Sequence, residues 1–178
     1  APGGKTRQLA AAGMAVTALD ISANRLKRLR DNLKRTDLSA DIVCADALDW
    51  LPISSPQTKT EQQFDAILLD APCTATGTLR RHPDLLIHRH EGDMVKLMEL
   101  QKALLATAAP RVKQGGFLLY GVCAMQPQEG ADQIEAFLQT HTAFQLRGSY
   151  TCLPLGTPNG ARDSEAETDG DGFYAALL

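Results

Sequence analysis

The 178-residue chain is 44% hydrophobic with a formal net charge of -3, a size and composition that suit one globular domain with a sizeable core. No apolar run approaches the ~20 residues of a membrane-spanning helix, no basic-then-apolar segment opens the chain, and the charge balance leaves no global footprint for nucleic acid. The four cysteines, Cys44, Cys73, Cys123 and Cys152, stand far apart without a CxxC pair. That spacing argues against a zinc site and for single thiols in a reducing compartment, so a soluble, cytoplasmic protein without metal is expected.

The chain starts directly on Ala1-Pro2-Gly3-Gly4-Lys5-Thr6. A glycine-rich turn of this kind normally follows a strand that lines one side of a ligand pocket, so the sequence reads as a fragment lacking that strand. Gly3 and Gly4 permit a tight turn with close backbone approach, and Lys5 to Ala12 suits a helix. Met14 to Leu19 predicts a buried strand ending in Asp20. A carboxylate at such a strand tip is placed to hold ribose-type hydroxyls; the simpler alternative is an N-cap acid. Ser22 to Arg35 predicts a helix with Leu26, Leu29 and Leu33 inward and a cationic outer face (Arg25, Lys27, Arg28, Arg30, Lys34, Arg35). Ile42 to Ala45 makes a short strand before Asp46, and Pro52 to Gln63 a polar surface loop.

The stretch Phe64 to Gly77 organises the rest. Ile67, Leu68 and Leu69 between Asp65 and Asp70 predict a central parallel strand buried on both faces, and open α/β sheets bind ligands just beyond such strand ends. Asp70, Pro72 and Cys73 stand there. Thr74 to Gly92 has little periodicity and predicts a long loop over the site, bearing Arg80, Arg81, His82, His88, Arg89 and His90. Asp93 to Ala109 predicts a helix with Met94, Leu97, Met98, Leu104, Leu105 and Ala108 inward, stopped by Pro110. After Gly115 and Gly116, Phe117 to Val122 predicts a strand whose tip carries Cys123. Gln128 to Thr140 predicts a helix with Ile134, Phe137 and Leu138 inward. Ala143 to Cys152 and Phe173 to Leu178 predict two last strands paired antiparallel across an acid- and glycine-rich loop, Leu155 to Gly172. Cys44 and Cys152 read as small buried hydrophobes.

These motifs resemble the S-adenosylmethionine-dependent RNA (cytosine-5) methyltransferases, and among them the bacterial 16S ribosomal RNA enzymes of the RsmB/Sun/Fmu type. The resemblance covers essentially the whole chain and rests on Ala1 to Thr6, Asp70-Ala71-Pro72-Cys73, Ala75-Thr76-Gly77, Arg80-Arg81-His82-Pro83-Asp84, Cys123 and Asp171-Gly172-Phe173. It implies a Rossmann-like methyltransferase fold with a mostly parallel sheet and an antiparallel last strand, residues 1–178 being a catalytic domain without its upstream strand and RNA-binding domain. It also implies S-adenosylmethionine as cofactor, held by Ala1, Pro2, Gly3, Gly4, Lys5, Asp20, Asp46 and Asp70, and 16S ribosomal RNA as partner, with Arg80 and Arg81 on its phosphates and a monomer as the favoured state. Cys123 corresponds to the nucleophile, Cys73 to the thiol that aids product release, and Asp70 to the acid facing the base. Cytosine C5 is a poor nucleophile until a thiolate adds at C6, so paired strand-end thiols suit this chemistry.

The chain departs from the family pattern at several points. Val122 and Ala124 flank Cys123 where threonine and serine are usual, Gly130 follows Glu129 where asparagine is expected, and Leu86-Ile87-His88 replaces an aromatic-containing segment. Two rival readings remain open on sequence alone. One is a P-loop nucleotide hydrolase, from Gly4-Lys5-Thr6 and the strand ending at Asp70. The other is an RNA-binding homologue that has lost catalysis.

Overall fold

The computed structural model describes residues 3–52, 62–88, 91–153 and 170–178. Ala1, Pro2, Arg89 and His90 lie outside the described residues, as does most of the two polar loops expected at Pro52 to Gln63 and Leu155 to Gly172. Where the composition suits one domain, the chain divides at Pro52 into two compact units.

The first unit holds α1 (Gly4–Ala11), β1 (Thr17–Asp20), α2 (Ala23–Arg35) and β2 (Asp41–Cys44). Strand β1 pairs in parallel with β2, Asp20 standing opposite Cys44. The expected strand start at Met14 is three residues early. Gly13 at φ 83° and the bond from Met14 N to Leu9 O still belong to the turn that ends α1, and Met14 is 56% exposed. Helix α2 starts where Ser22 Oγ accepts the Arg25 N–H at 3.4 Å, satisfying one of the unpaired donors of a first turn. Lys34 and Arg35 occupy its last turn, the favourable end for cations. Leu26, Leu29 and Leu33 are buried with Ala18, each leucine contributing about 1.5–3 kcal/mol. Cys44, read as buried, is exposed: at the end of a four-residue strand its side chain falls outside this small core.

The second unit is a four-stranded sheet in the order β3-β4-β6-β5, built from β3 (Phe64–Asp70), β4 (Val112–Val122), β5 (Gly148–Cys152) and β6 (Phe173–Leu177). Strands β3 and β4 are parallel, and β6 runs antiparallel to both β4 and β5, the pairing expected of the two last strands and the antiparallel last strand that the resemblance implies. Among the described residues β3 is an edge strand, not a central one. Ile67, Leu68 and Leu69 are accordingly half-buried, and Asp65 and Ala66 exposed.

Strand β4 starts at Val112, five residues before the expected start, and contains the two glycines that were expected to precede it. The register breaks between Phe64 and Ala66, Gly115 takes φ 77°, and a Cβ on Gly116 would come within 2.6 Å of Asp65 O. Glycine is what allows the strand to continue through the irregularity. The expected loop from Thr74 to Gly92 contains a helical turn at Thr76–Thr78 and the short α3 (Leu85–His88), and α4 (Glu91–Ala108) starts two residues early. Helix α5 (Ala131–Thr140) follows a separate turn at Pro127–Glu129. Leu105 of α4 and Ile134 and Phe137 of α5 pack with Leu118, Tyr120 and Ala176 in one core. No helix among the described residues is long and apolar enough to cross a membrane.

Candidate active site

The two strand-tip cysteines meet. Cys73 Sγ lies 3.4 Å from Cys123 Sγ, because β3 and β4 are parallel neighbours with Asp70 opposite Gly121. The two chain segments leave the sheet stitched together: Ala71 N donates to Gly121 O at 3.0 Å and Gly77 N to Cys123 O at 2.9 Å. Thr76 Oγ1 accepts from Met125 N at 3.0 Å and donates to Gln126 Oε1 at 2.5 Å. Between them the chain turns through Ala75 at φ 60°, a left-handed conformation that costs a non-glycine residue about 1–2 kcal/mol. Such strain persists where surrounding contacts over-determine it, and it concentrates at functional sites.

Cys73 is buried and Cys123 half-buried. The hydrogen bond with Cys123, then burial, then the charge of the neighbouring sulfur hold the Cys73 thiol well above the ordinary thiol range. Asp70 closes β3 three residues before Cys73, with its side chain on the exposed side.

Beneath the thiols lies a buried polar network that the sequence reading passed over. Glu129 and Gln101 are both 0% exposed. Glu129 Oε1 accepts the Thr74 N–H at 2.9 Å and Gln101 Nε2 at 3.0 Å, and Thr74 Oγ1 donates to Glu129 Oε2. Gln101 Nε2 also donates to Pro72 O at 2.9 Å, and Tyr120 Oη donates to Glu129 O at 2.6 Å. The signal was present for Gln101, which falls on the apolar stripe of α4 between Leu97 and Leu104, where a polar side chain has to find partners inside. For Glu129 no local pattern marks burial.

The motifs Ala75-Thr76-Gly77 and Asp171-Gly172-Phe173 meet on the other side of Cys123. Gly172 N donates to Gly77 O at 2.8 Å, and a Cβ on Gly77 would overlap the Gly172 carbonyl and lie 2.8 Å from Cys123 O. Arg81 forks onto Asp171 through Nε and Nη2; this ion pair, ahead of the opposing effect of burial, lowers the Asp171 pKa. Arg80 is exposed beside it. Gly130, where the pattern has asparagine, faces the Tyr174 ring, whose Cγ would stand 3.0 Å from an added Cβ.

In the first unit Asp20 and Asp46 follow the carboxyl ends of the paired strands β1 and β2. Asp20 Oδ1 accepts the Ser22 N–H at 2.8 Å, Arg25 Nε at 3.0 Å and Arg25 Nη2 at 2.8 Å. Burial by itself would raise the Asp20 pKa, but the Arg25 hydrogen bond and the Ser22 N–H outweigh it and the carboxyl sits below 3.8. Among the described residues Oδ2 carries no hydrogen bond. Asp46 Oδ1 accepts the Leu48 N–H at 2.9 Å, closing a turn. Gly3 precedes α1 at φ 89° with no side-chain cap, and a Cβ there would collide with Leu29 Cδ1. Nothing lies within 4 Å of a Cβ position on Gly4, and Lys5 is exposed. An uncapped helix start with an open glycine, and a strand-tip carboxylate with one oxygen to spare, fit an adenosyl ligand with ribose hydroxyls.

The 16S rRNA methyltransferase RsmB/F family matches residues 1–178. The chain is 41% identical over 183 aligned residues to "Ribosomal RNA small subunit methyltransferase B" of Yersinia enterocolitica, and 42% identical over 181 to the protein of that name from Cronobacter sakazakii. Each match covers 100% of this chain, which spans 40% of the length of either relative. Among solved structures it is similar to NSun6 from Pyrococcus horikoshii with SFG, at 26% identity and a TM-score of 0.74 over 100% of this chain and 45% of that one. A methyltransferase homologue from Pyrococcus horikoshii matches at 30% identity and a TM-score of 0.69, over 99% and 58% of the two chains. The fold is that of the S-adenosylmethionine-dependent methyltransferases, the P-loop reading falls away, and the chain belongs to the RsmB/F family of 16S rRNA methyltransferases.

Proposed function

We propose that residues 1–178 are the catalytic portion of a protein that methylates C5 of a cytosine in 16S ribosomal RNA, working in the cytoplasm with S-adenosylmethionine as methyl donor. The observation that carries this reading is the contact of two thiols at the tips of adjacent parallel strands. A site that only bound RNA would have no use for a matched thiol pair.

Gly3, Gly4, Lys5, Asp20 and Asp46 would hold the cofactor with Ala1 and Pro2, Asp20 taking ribose hydroxyls on its open oxygen. When bound, S-adenosylmethionine supplies an electrophilic methyl on a sulfonium. Cys123 acts as thiolate: its sulfur adds to C6 of the cytosine, and the ring electrons shift to make C5 nucleophilic. Asp70, carrying a proton against the base, donates it to N3, neutralising the charge that the addition places on the ring, and recovers it when the adduct collapses. Once C5 carries the methyl group, water takes the C5 proton, the C–H electron pair restores the C5–C6 double bond, and the C6–S bond breaks with its electron pair returning to Cys123. Cys73, in contact with that sulfur, assists this release. Arg80 and Arg81 would lie along the phosphates flanking a base turned out of its stack.

The test is methylation of 16S RNA by the full-length protein with S-adenosylmethionine labelled in its methyl group, followed by digestion and identification of the labelled nucleoside. Label in 5-methylcytidine supports the proposal. Label in any other nucleoside, or none with binding intact, refutes it.

A further inference from the structure

We infer that Gln101 and Glu129 are positioning residues that hold the Cys73 thiol against Cys123 for the release half of the cycle; the inference rests on the function proposed above. The peptide units on both sides of Cys73 are tied down by these two side chains. Gln101 Nε2 takes the carbonyl of Pro72 at 2.9 Å, and Glu129 Oε1 takes the N–H of Thr74 at 2.9 Å. A bond of 3.0 Å between Gln101 and Glu129 closes the arrangement.

The same Glu129 reaches the other thiol's strand. Its carbonyl accepts from Tyr120 Oη, and Tyr120 is fully buried in β4, three residues before Cys123. One residue thus ties the loop of Cys73 to the strand of Cys123, and the 3.4 Å separation of the sulfurs follows from two anchored segments rather than from contact between thiols alone.

The arrangement is a poor way to build a core and a good way to place an atom. Gln101 Oε1 is buried without a hydrogen-bond partner among the described residues, which is destabilising, and an apolar side chain at that position of α4 would avoid it. The donors of the network, Gln101 Nε2, the Thr74 N–H and hydroxyl and the Tyr120 hydroxyl, all have acceptors; such bonds inside the protein fix one geometry, and release requires Cys73 Sγ at one place relative to the C6–S bond.

The experiment uses the full-length protein with Gln101→Met, which keeps side-chain length and removes both the anchor to Pro72 and the orphan oxygen. Its first readout needs no RNA. The azo oxidant diamide takes two electrons and two protons from adjacent thiols, and the Cys73–Cys123 disulfide is quantified by peptide mapping. Slowing by about fivefold or more, with the thermal transition of the folded protein retained, is expected. Its second readout is catalytic: steady-state turnover falls about fivefold more than the first-turnover rate, and a covalent RNA complex builds up, as in Cys73→Ala. Glu129→Gln keeps an acceptor for the Thr74 N–H and recovers most of what Glu129→Ala loses in both readouts. An unchanged cross-linking rate in Gln101→Met overturns the inference. Slower cross-linking with no covalent complex in Gln101→Met or Cys73→Ala leaves the positioning role standing and removes the release mechanism instead.

Discussion

Cys73 Sγ and Cys123 Sγ stand 3.4 Å apart, and the two sulfurs are not equivalent: Cys73 is buried at 8% exposure while Cys123 remains half-buried. Two thiols in contact cannot both ionise readily, since like charges at that distance repel strongly. The more buried thiol is the one pushed up, in keeping with the proposed roles of Cys123 in addition and Cys73 in release.

Replacement of each thiol should therefore have opposite effects on the covalent intermediate. Cys123→Ala should abolish methyl transfer and any protein–RNA adduct, because C5 is not activated without addition at C6. Cys73→Ala should still add and transfer, so an adduct accumulates while turnover falls. A denaturing gel of each variant with RNA and S-adenosylmethionine reads this, and the reverse pattern would exchange the two roles.

The raised Cys73 pKa also predicts how stability responds to alkali. Unfolding returns the thiol to its ordinary value near 9.0, so above that pH the unfolded chain loses a proton that the folded one keeps. Stability is unaffected below about pH 9 and declines as pH rises beyond it. Urea unfolding between pH 8 and 10.5 should show this slope reduced in Cys73→Ala; identical slopes would mean that Cys73 does not titrate differently in the two states.

Asp20 closes the start of α2 through Ser22 and Arg25, and in the proposed function it also offers Oδ2 to the cofactor. Asp20→Ala should weaken S-adenosylmethionine binding by about 1.5–3 kcal/mol, the scale of a hydrogen bond to a charged group. The lowered Asp20 pKa means that its contribution to stability is present above pH 3.8 and is lost as pH falls through the folded-state value. Calorimetry of cofactor binding separates these effects, and an unchanged affinity would remove Asp20 from the site.

How much of this was legible in the sequence depends on the range of the interaction. Strand ends are marked locally, by an apolar run stopping at an acid or a thiol, so Asp20, Asp70, Cys73 and Cys123 could be placed without coordinates. Parallel pairing then brings the two cysteines together. The partnership of Gly77 with Gly172, of Arg81 with Asp171 and of Glu129 with Thr74 joins positions 55 to 95 residues apart, and no periodicity records it. An apolar run reports what a strand can bury, not which neighbours it has, so the edge position of β3 among the described residues is not legible from it. Cys44 was misjudged because a cysteine in an apolar run looks buried whichever side of a short strand it occupies.

The ion pair with Asp171 distinguishes two neighbouring arginines. Arg80→Ala should lower the slope of log RNA affinity against log salt by about 1, as expected for one phosphate contact. Arg81→Ala should do so while also releasing Asp171; that exposed, solvent-screened pair contributes little to stability. Binding titrations from 50 to 300 mM salt decide this, and a slope unchanged in the double variant would leave both arginines to the fold.

Gly77 gives the most severe structural prediction. Its N–H is bound to Cys123 O at 2.9 Å and its carbonyl to Gly172 N at 2.8 Å, so the residue is held between two backbones that cannot yield as a flexible side chain would. A methyl group there meets Gly172 C at 2.5 Å and Cys123 O at 2.8 Å. Gly77→Ala should destabilise by about 1–3 kcal/mol, the usual cost of overpacking, by pushing apart the segments that flank Cys123. The corresponding change at Gly148 has open space around it and provides the control. Thermal unfolding and methyl transfer measured together test this: Gly77→Ala should lose both stability and activity. A Gly77→Ala protein as stable and as active as its parent would show that the close approach of residues 77, 123 and 172 is not required at the site.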